Sequence, residues 1–284
     1  MYVEIGPASL VITGEKNGAP LEFVREEAEE LITGILRQIR ECLPVLRQKA
    51  QRIKNVSGLP EAARRMTAAV KLVDEASLTP MAAVAGTVAD MIKEHFIKKD
   101  VDLLTVNNGG DLSIYNKTGR ALRVGIGDII TGQATRYVMV LEGMRNFGMA
   151  TSGFGGRSLT LGLADTATAV AETGAIADAA ATFICNRTTV TAGGVVRRKA
   201  RLIDPQTDIP DDDVTVAVGA LSPDSVARSL ERGLKTANAL RERNIIDYAA
   251  IALKGSIVAT SHGNNNKSIT LEVQDGNQKN SYHR

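Results

Sequence analysis

Strand-like runs crowd the middle of this chain, and helical spacing flanks them. Val101–Val106, Leu112–Tyr115, Ala121–Ile126 and Tyr137–Leu141 are short, rich in branched or alternating apolar residues, and separated by Gly-bearing turns. These strands read as hairpin-like runs lying between helices clustered at the start and end of the chain. Ser9–Thr13 adds an early strand, with Lys16-Asn17-Gly18 as its hairpin turn. The arrangement is α+β rather than alternating βαβ.

The helical segments follow from apolar spacing. From Phe23 to about Ile53, apolar residues fall at Leu31, Ile32, Ile35, Leu36, Ile39, Leu43 and Leu46, which predicts one long amphipathic helix bent at Pro44. Pro60 opens a second helix with Ala62, Met66, Ala69, Val70 and Val73 on one face. Thr79-Pro80 opens a third segment, Met81–Asp90, made almost wholly of small residues. An Ala-rich helix is expected over Ile176–Ile184, preceded by a strand pair, with strand and turn over Arg187–Arg201. Ser222-Pro223 supplies an N-cap and first position for a helix to about Arg243. Ile251–Leu253 and Ile257–Thr260 read as a hairpin across Lys254-Gly255. Residues from about 262 to 284 are polar and Asn-rich and read as a mobile tail with one strand over Ile269–Val273. The expectation is a single domain over residues 1–284.

Composition narrows the function. The 284 residues carry a formal net charge of +2, and the one basic cluster, Arg197-Arg198-Lys199 with Arg201, is short, so no nucleic-acid partner is expected. Cys42 and Cys185 are far apart and form no CxxC, which disfavours a disulfide framework or a thiolate zinc site. No leader-like start and no apolar run long enough to span a membrane is visible, so a cytoplasmic protein with no membrane partner is expected. His95, His262 and His283 do not suggest a catalytic triad.

Three features can carry chemistry. In Asn107-Asn108-Gly109-Gly110-Asp111, paired glycines permit positive φ and uncover backbone N–H groups that suit phosphate, although the same residues make an ordinary tight hairpin. Thr151-Ser152-Gly153-Phe154-Gly155-Gly156-Arg157-Ser158 gathers hydroxyls, glycines and a guanidinium, a phosphate-binding composition that matches neither a Walker loop nor a dinucleotide fingerprint. Asp178 and Thr182 lie four apart and share a helix face. A carboxylate in an Ala-rich helix needs a partner. A hard cation such as Mg²⁺ takes oxygen ligands of this kind, as does a capping or ion-pairing role that needs no metal. Asp165 is a second carboxylate nearby without an assignable role.

The order of these motifs resembles the ApbE-like superfamily of FAD:protein FMN transferases and their relatives. The resemblance rests on Pro80-Met-Ala-Ala-Val-Ala-Gly86, then Asn108-Gly-Gly-Asp111, then Ala150-Thr-Ser-Gly153, then Ala177-Asp-Ala-Ala-Ala-Thr182. It is closest to a branch in bacteria and archaea that lacks an assigned reaction. It implies antiparallel sheets with long helices packed on them and a ligand cleft between. It implies Mg²⁺ held by Asp178, Thr182 and Ala82, and FAD or FMN held by Asn108, Gly109, Gly110, Asp111, Thr151, Ser152, Gly153, Arg157 and Ser158. Two positions depart from the transferases. Ala85-Gly86 stands where they carry Lys-Gly, and no His-Ile-Ile-Asp-Pro follows Thr-Ser-Gly. Leu202-Ile-Asp-Pro205 looks similar but falls after the Asp178 helix, out of order, and reads as coincidence.

Three readings stand side by side. The first is Mg²⁺-dependent binding and processing of a flavin dinucleotide or related nucleotide, by FMN transfer or pyrophosphate hydrolysis. The second is a non-catalytic protein for a flavin or other phosphorylated ligand. The third is an enzyme on the same fold with an unrelated small substrate. The long apolar faces of the N-terminal helices would suit a homodimer.

Overall fold

The computed structural model describes residues 1–127, 134–156, 158–261 and 268–273. The chain opens with β1 (Tyr2–Ile5), β2 (Ala8–Lys16) and β3 (Ala19–Leu21), and Asn17 and Gly18 both take positive φ in the turn before β3. Four helices follow: α1 (Arg25–Glu41), α2 (Leu43–Leu46), α3 (Glu61–Asp74) and α4 (Val84–Phe96). The middle of the chain supplies β4 (Leu103–Asn108), β5 (Asp111–Asn116), β6 (Leu122–Gly127), β7 (Ala134–Glu142), β8 (Asn146–Ser152) and β9 (Thr166–Ala171). Then come α5 (Gly174–Arg187), β10 (Val195–Lys199), β11 (Asp213–Val218), α6 (Pro223–Glu242), β12 (Tyr248–Leu253), β13 (Ser256–Ala259) and β14 (Ser268–Val273).

Every pairing among the described strands is antiparallel. The main sheet runs β1-β2-β4-β5-β8-β9-β12-β13, with β3 also on β2. A smaller sheet, β14-β7-β6, packs on one face through Met139, Leu141, Tyr137 and Ile269, against Ile114, Phe147, Met149, Val170 and Tyr248 of the main sheet. The helices cover the other face. This is the expected α+β architecture of antiparallel sheets carrying packed helices.

The alternation of side chains explains how α5 lies so close to the sheet. On β8, β9 and β12, the residues facing the smaller sheet are Phe147, Met149, Val170 and Tyr248. Those facing the helices include Ala150, Ala167, Ala169 and Ala171. Small side chains on this face admit a helix that is itself small-residue, and Ala175, Ala177, Ala179, Ala180 and Ala181 of α5 are all buried. A helix buried on nearly every side need not show an amphipathic stripe.

Some expectations are corrected. The long helix over Phe23–Ile53 stops at Glu41, and Cys42 (φ −107°, ψ 4°) breaks it before Pro44 enters the first turn of α2. Pro44 has no N–H and starts a new turn rather than bending an old one. The apolar stripe of α1 faces inward, with Ile32, Ile35 and Ile39 buried in the core. One strand, β9, stands where a pair was expected. β1, β3 and β11 had no strong pattern in the sequence. The polar tail beyond Ser261 lies outside the described residues except for β14, which pairs with β7.

Candidate functional site

α4 and α5 cross where neither has a side chain. A Cβ on Gly86 would sit 2.1 Å from the Gly174 carbonyl oxygen, and one on Gly148 would sit 2.2 Å from the Gly174 amide nitrogen. Three glycines therefore let α4, α5 and β8 touch backbone to backbone. Each helix then answers the other's free amides. Asp90 of α4 accepts from Gly174 N (2.8 Å) and Ala175 N (2.9 Å) at the start of α5. Asp178 of α5 accepts from Gly86 N (3.0 Å) at the start of α4, whose own N-cap, Ala83, has no side-chain acceptor. The first amides of a helix lack partners within it and carry the positive end of its dipole, so a carboxylate is well placed there.

This crossing fixes one wall of a cleft of about 440 Å³. Asp178 and Thr182 lie one turn apart, half-buried, on the cleft-facing side of α5, and Ala82, Val84 and Ala85 approach from the segment leading into α4. Asp111 enters from the start of β5, Ser158 and Leu161 from the loop after β8, and residues from Asp204 to Asp212 form the opposite side. That side is tied down by a hydrogen bond from the Thr79 hydroxyl to Asp208 and by Lys49 Nζ to Asp212 Oδ2 at 3.0 Å.

Electrostatically the inner end is strained toward cations. Burial and the neighbouring Asp111 charge push the Asp178 carboxyl well above the usual carboxylate range, and the Gly86 and Ala85 amides pull it back. Carboxylates that repel each other across a cleft favour a shared cation. No group of three or more His, Cys, Asp or Glu suited to a metal occurs among the described residues. Mg²⁺ does not need one. It binds through one or two carboxylates and completes its shell with hydroxyls, carbonyls, water and ligand phosphate. The oxygen set of Asp178, Asp111, Thr182 and Ala82 fits such an ion.

The sequence-derived residues divide into two groups. Ala82, Asp111, Ser158, Asp178 and Thr182 line the cleft. Asn108, Gly109, Gly110, Thr151, Ser152 and Gly153 do not, and the polar atoms of several are committed elsewhere. Asn108 is buried, accepts from Ser9 N and donates to the Ala85 carbonyl. The Gly110 amide is taken by Asn107 Oδ1 at 2.8 Å, within a turn where Gly109 and Gly110 both have positive φ. That turn aims Asp111 at the cleft. The Thr151 hydroxyl meets Thr168 across the β8–β9 pair at 2.9 Å. Arg157 lies outside the described residues. Asp165 accepts from Lys254 N at 2.6 Å and serves the β12–β13 turn. Cys185 is buried, and burial pushes its thiol up to about 11, so it is a core residue rather than a nucleophile.

Sequence reasoning missed part of the lining. Asn186 continues the Asp178–Thr182 face by one more turn, and Arg187, Thr189 and Arg232 lie beside it. The i+8 spacing of Asn186 was available as a signal. Asp204, set aside in the sequence with Leu202–Pro205, also lines the cleft.

Among known proteins, the family described as AbpE bacteria matches residues 1–259. A UPF0280 protein of Methanococcus maripaludis strain C7 is 33% identical over 157 residues, covering 53% of this chain and 62% of that protein. A UPF0280 protein of Methanosarcina barkeri is 36% identical over 135 residues, covering 46% and 50%. One from Methanocaldococcus jannaschii is 36% identical over 130 residues, covering 45% and 50%. The chain thus spans about half to three-fifths of these curated relatives. In solved structures, the Pseudomonas stutzeri flavinyl transferase ApbE in apo form aligns over 92% of this chain and 93% of that one, at 12% identity and a TM-score of 0.46. The family match bears out the resemblance seen in the sequence motifs: this chain belongs to the AbpE bacteria family, within the ApbE-like superfamily.

Proposed function

We propose that the cleft binds a flavin dinucleotide or a related nucleotide together with Mg²⁺. The observation that carries this reading is the convergence of Asp111, Asp178, Thr182 and Ala82, hard-oxygen donors from three separate segments, on one cleft. Asp178 and Thr182 would hold the ion with Asp111 and Ala82, and Ser158 would donate to a phosphate oxygen. Bound there, the metal would neutralise a pyrophosphate and make it a better electrophile.

Among the described residues, the lining of the cleft includes Arg and Asp residues but no Lys, His or Cys. The hydrogen-bonding groups of Ser158, Thr182, Asn186 and Thr189 in that lining support, as a second reading, a protein that holds its ligand without transferring part of it. The two readings share the pocket and differ in what happens to the ligand.

Asp178→Asn tests the site. It keeps an acceptor for the Gly86 amide and removes the charge. Without metal, its thermal midpoint should match or exceed that of the unaltered chain, because the repulsion from Asp111 is gone. The upward shift that Mg²⁺ gives the unaltered chain should vanish. An Asp178→Asn variant that still binds Mg²⁺ and FAD as tightly as the unaltered chain would refute the assignment. AMP released from FAD in the presence of Mg²⁺ selects the catalytic reading, and intact FAD selects the binding one.

A further inference from the structure

The far end of α5 is built differently from the end that carries Asp178. Asn186 lies eight residues beyond Asp178 on the same face, about 12 Å along the helix axis. Its Oδ1 accepts from the Leu161 amide at 3.0 Å and from the Thr160 hydroxyl at 3.2 Å. A backbone N–H can meet only the oxygen of the amide group, so the orientation of Asn186 is fixed. Its NH₂ group is left as a donor on the cleft side.

The neighbours of Asn186 are donors too. Arg187 stacks over the Phe183 ring, with its guanidinium carbon 4.7 Å from the ring centroid. Such a contact holds the planar group in place without using its N–H bonds. Among the described residues, neither Arg187 nor Arg232 makes an ion pair. The Thr189 hydroxyl accepts from Arg197, which leaves its own proton to donate. Asn186, Arg187, Thr189 and Arg232 all line the cleft. Guanidiniums and N–H donors gathered around Asn186, two helical turns from the Asp178 carboxylate, are complementary to a ligand that is itself divided.

We infer that Asn186, Arg187, Thr189 and Arg232 form a second subsite that binds an oxyanion, a phosphate or a carboxylate group. This rests on the reading of the Asp178 end as a metal and phosphate site. It narrows the ligand to a nucleotide that carries a second anionic group, about 6–12 Å from the one held with the metal. FAD, whose only anionic group is its pyrophosphate, would fill one end alone, so the subsite favours a related nucleotide over FAD as the ligand of this cleft.

Calorimetric titration of the full chain with inorganic phosphate in EDTA tests the subsite, because guanidiniums need no metal to hold phosphate. Saturable binding is expected, weakened at least tenfold in Arg187→Gln and in Arg232→Gln. Both arginines are exposed, so their substitution leaves the core intact. Asn186→Asp keeps the acceptor for Leu161 and replaces the donor with a charged acceptor, and it should weaken phosphate at least as much. A parallel titration with acetate separates the sources. Preference for phosphate assigns a phosphate group to this end, and preference for acetate assigns a carboxylate. Phosphate binding that needs Mg²⁺ and is unchanged in all three variants overturns the subsite and leaves the metal site standing. Phosphate binding that depends on Asn186 and Arg187 in a chain that does not bind Mg²⁺ overturns the metal site and leaves the subsite standing.

Discussion

Asp90 and Lys93 are both nearly inaccessible, at 4% and 3% exposure, one turn apart on α4. Two buried charges are tolerable only when their remaining valences are met. Asp90 accepts from two amides of α5 and from the Ser113 hydroxyl, with Lys93 Nζ 4.0 Å away. Lys93 donates to Asn146 Oδ1 at 2.6 Å. Burial nevertheless lowers the Lys93 pKa below the ordinary lysine value of 10.5, against the pull of Asp90. The sign of the resulting pH dependence follows. Below the folded pKa both states hold the proton, and the burial penalty is at its full size. As pH climbs from there toward 10.5, the native chain releases the proton while the unfolded chain keeps it, so stability rises. Urea unfolding followed between neutral pH and 10.5 should show this rise, and Lys93→Met should lack it. A variant with the same slope as the unaltered chain would remove Lys93 as its source.

At the scale of elements, the crossing of α4 and α5 rests on missing side chains. Gly86→Ala forces a Cβ into the Gly174 carbonyl, where only backbone can give way. Overpacking of this kind costs about 1–3 kcal/mol, and here it also pulls Asp178 off the α4 amides. Gly34 in α1 has no atom within 4 Å of its added Cβ, so Gly34→Ala should stabilise by about 0.5–1 kcal/mol through helix propensity alone. Opposite signs in chemical denaturation are the expected result, and equal signs would contradict the close crossing. The same elements show what the sequence could reveal. α3 was legible because Ala62, Met66, Ala69, Val70 and Val73 repeat at helical spacing, and all five are buried. The hairpins at Gly109-Gly110 and Lys254-Gly255 were legible from turn chemistry. The roles of Asn108 and Thr151 were not, because their partners are residues 9, 85 and 168. A local motif says that a polar group needs a partner, and only the fold says which one it takes. Asn186 could have been placed on the Asp178–Thr182 face by its spacing, and only its orientation, which depends on Leu161 from another segment, lay beyond the sequence.

For the whole molecule, burial is uneven. α5 lies between the main sheet and the other helices, with nine of its residues buried. β10 and β11 form a separate two-stranded sheet that carries the exposed residues Val196, Leu202 and Ile203 at or near its end. Local opening free energies follow such differences. In native-state hydrogen exchange, α5 amides should exchange only through global unfolding, with the same urea dependence as the stability itself. The β10–β11 amides should exchange through small openings that urea barely affects. Ligand in the cleft should slow the second group, because residues from Asp204 to Asp212 connect those strands and line the cleft. Unchanged exchange there on ligand binding would separate that segment from recognition.

The exchange of caps between α4 and α5 bears on a nascent chain as well as on a finished one. While the first hundred residues are out and the rest are not, the amides of Ala85 and Gly86 have no carboxylate to meet. The Gly174 and Ala175 amides are likewise unanswered in any fragment that begins after Phe96. Neither half can make its side of the cleft in advance and wait for the other. Binding competence and completion of the helical layer therefore arrive in a single docking step. Two fragments cut between α4 and α5 would recover both together or neither.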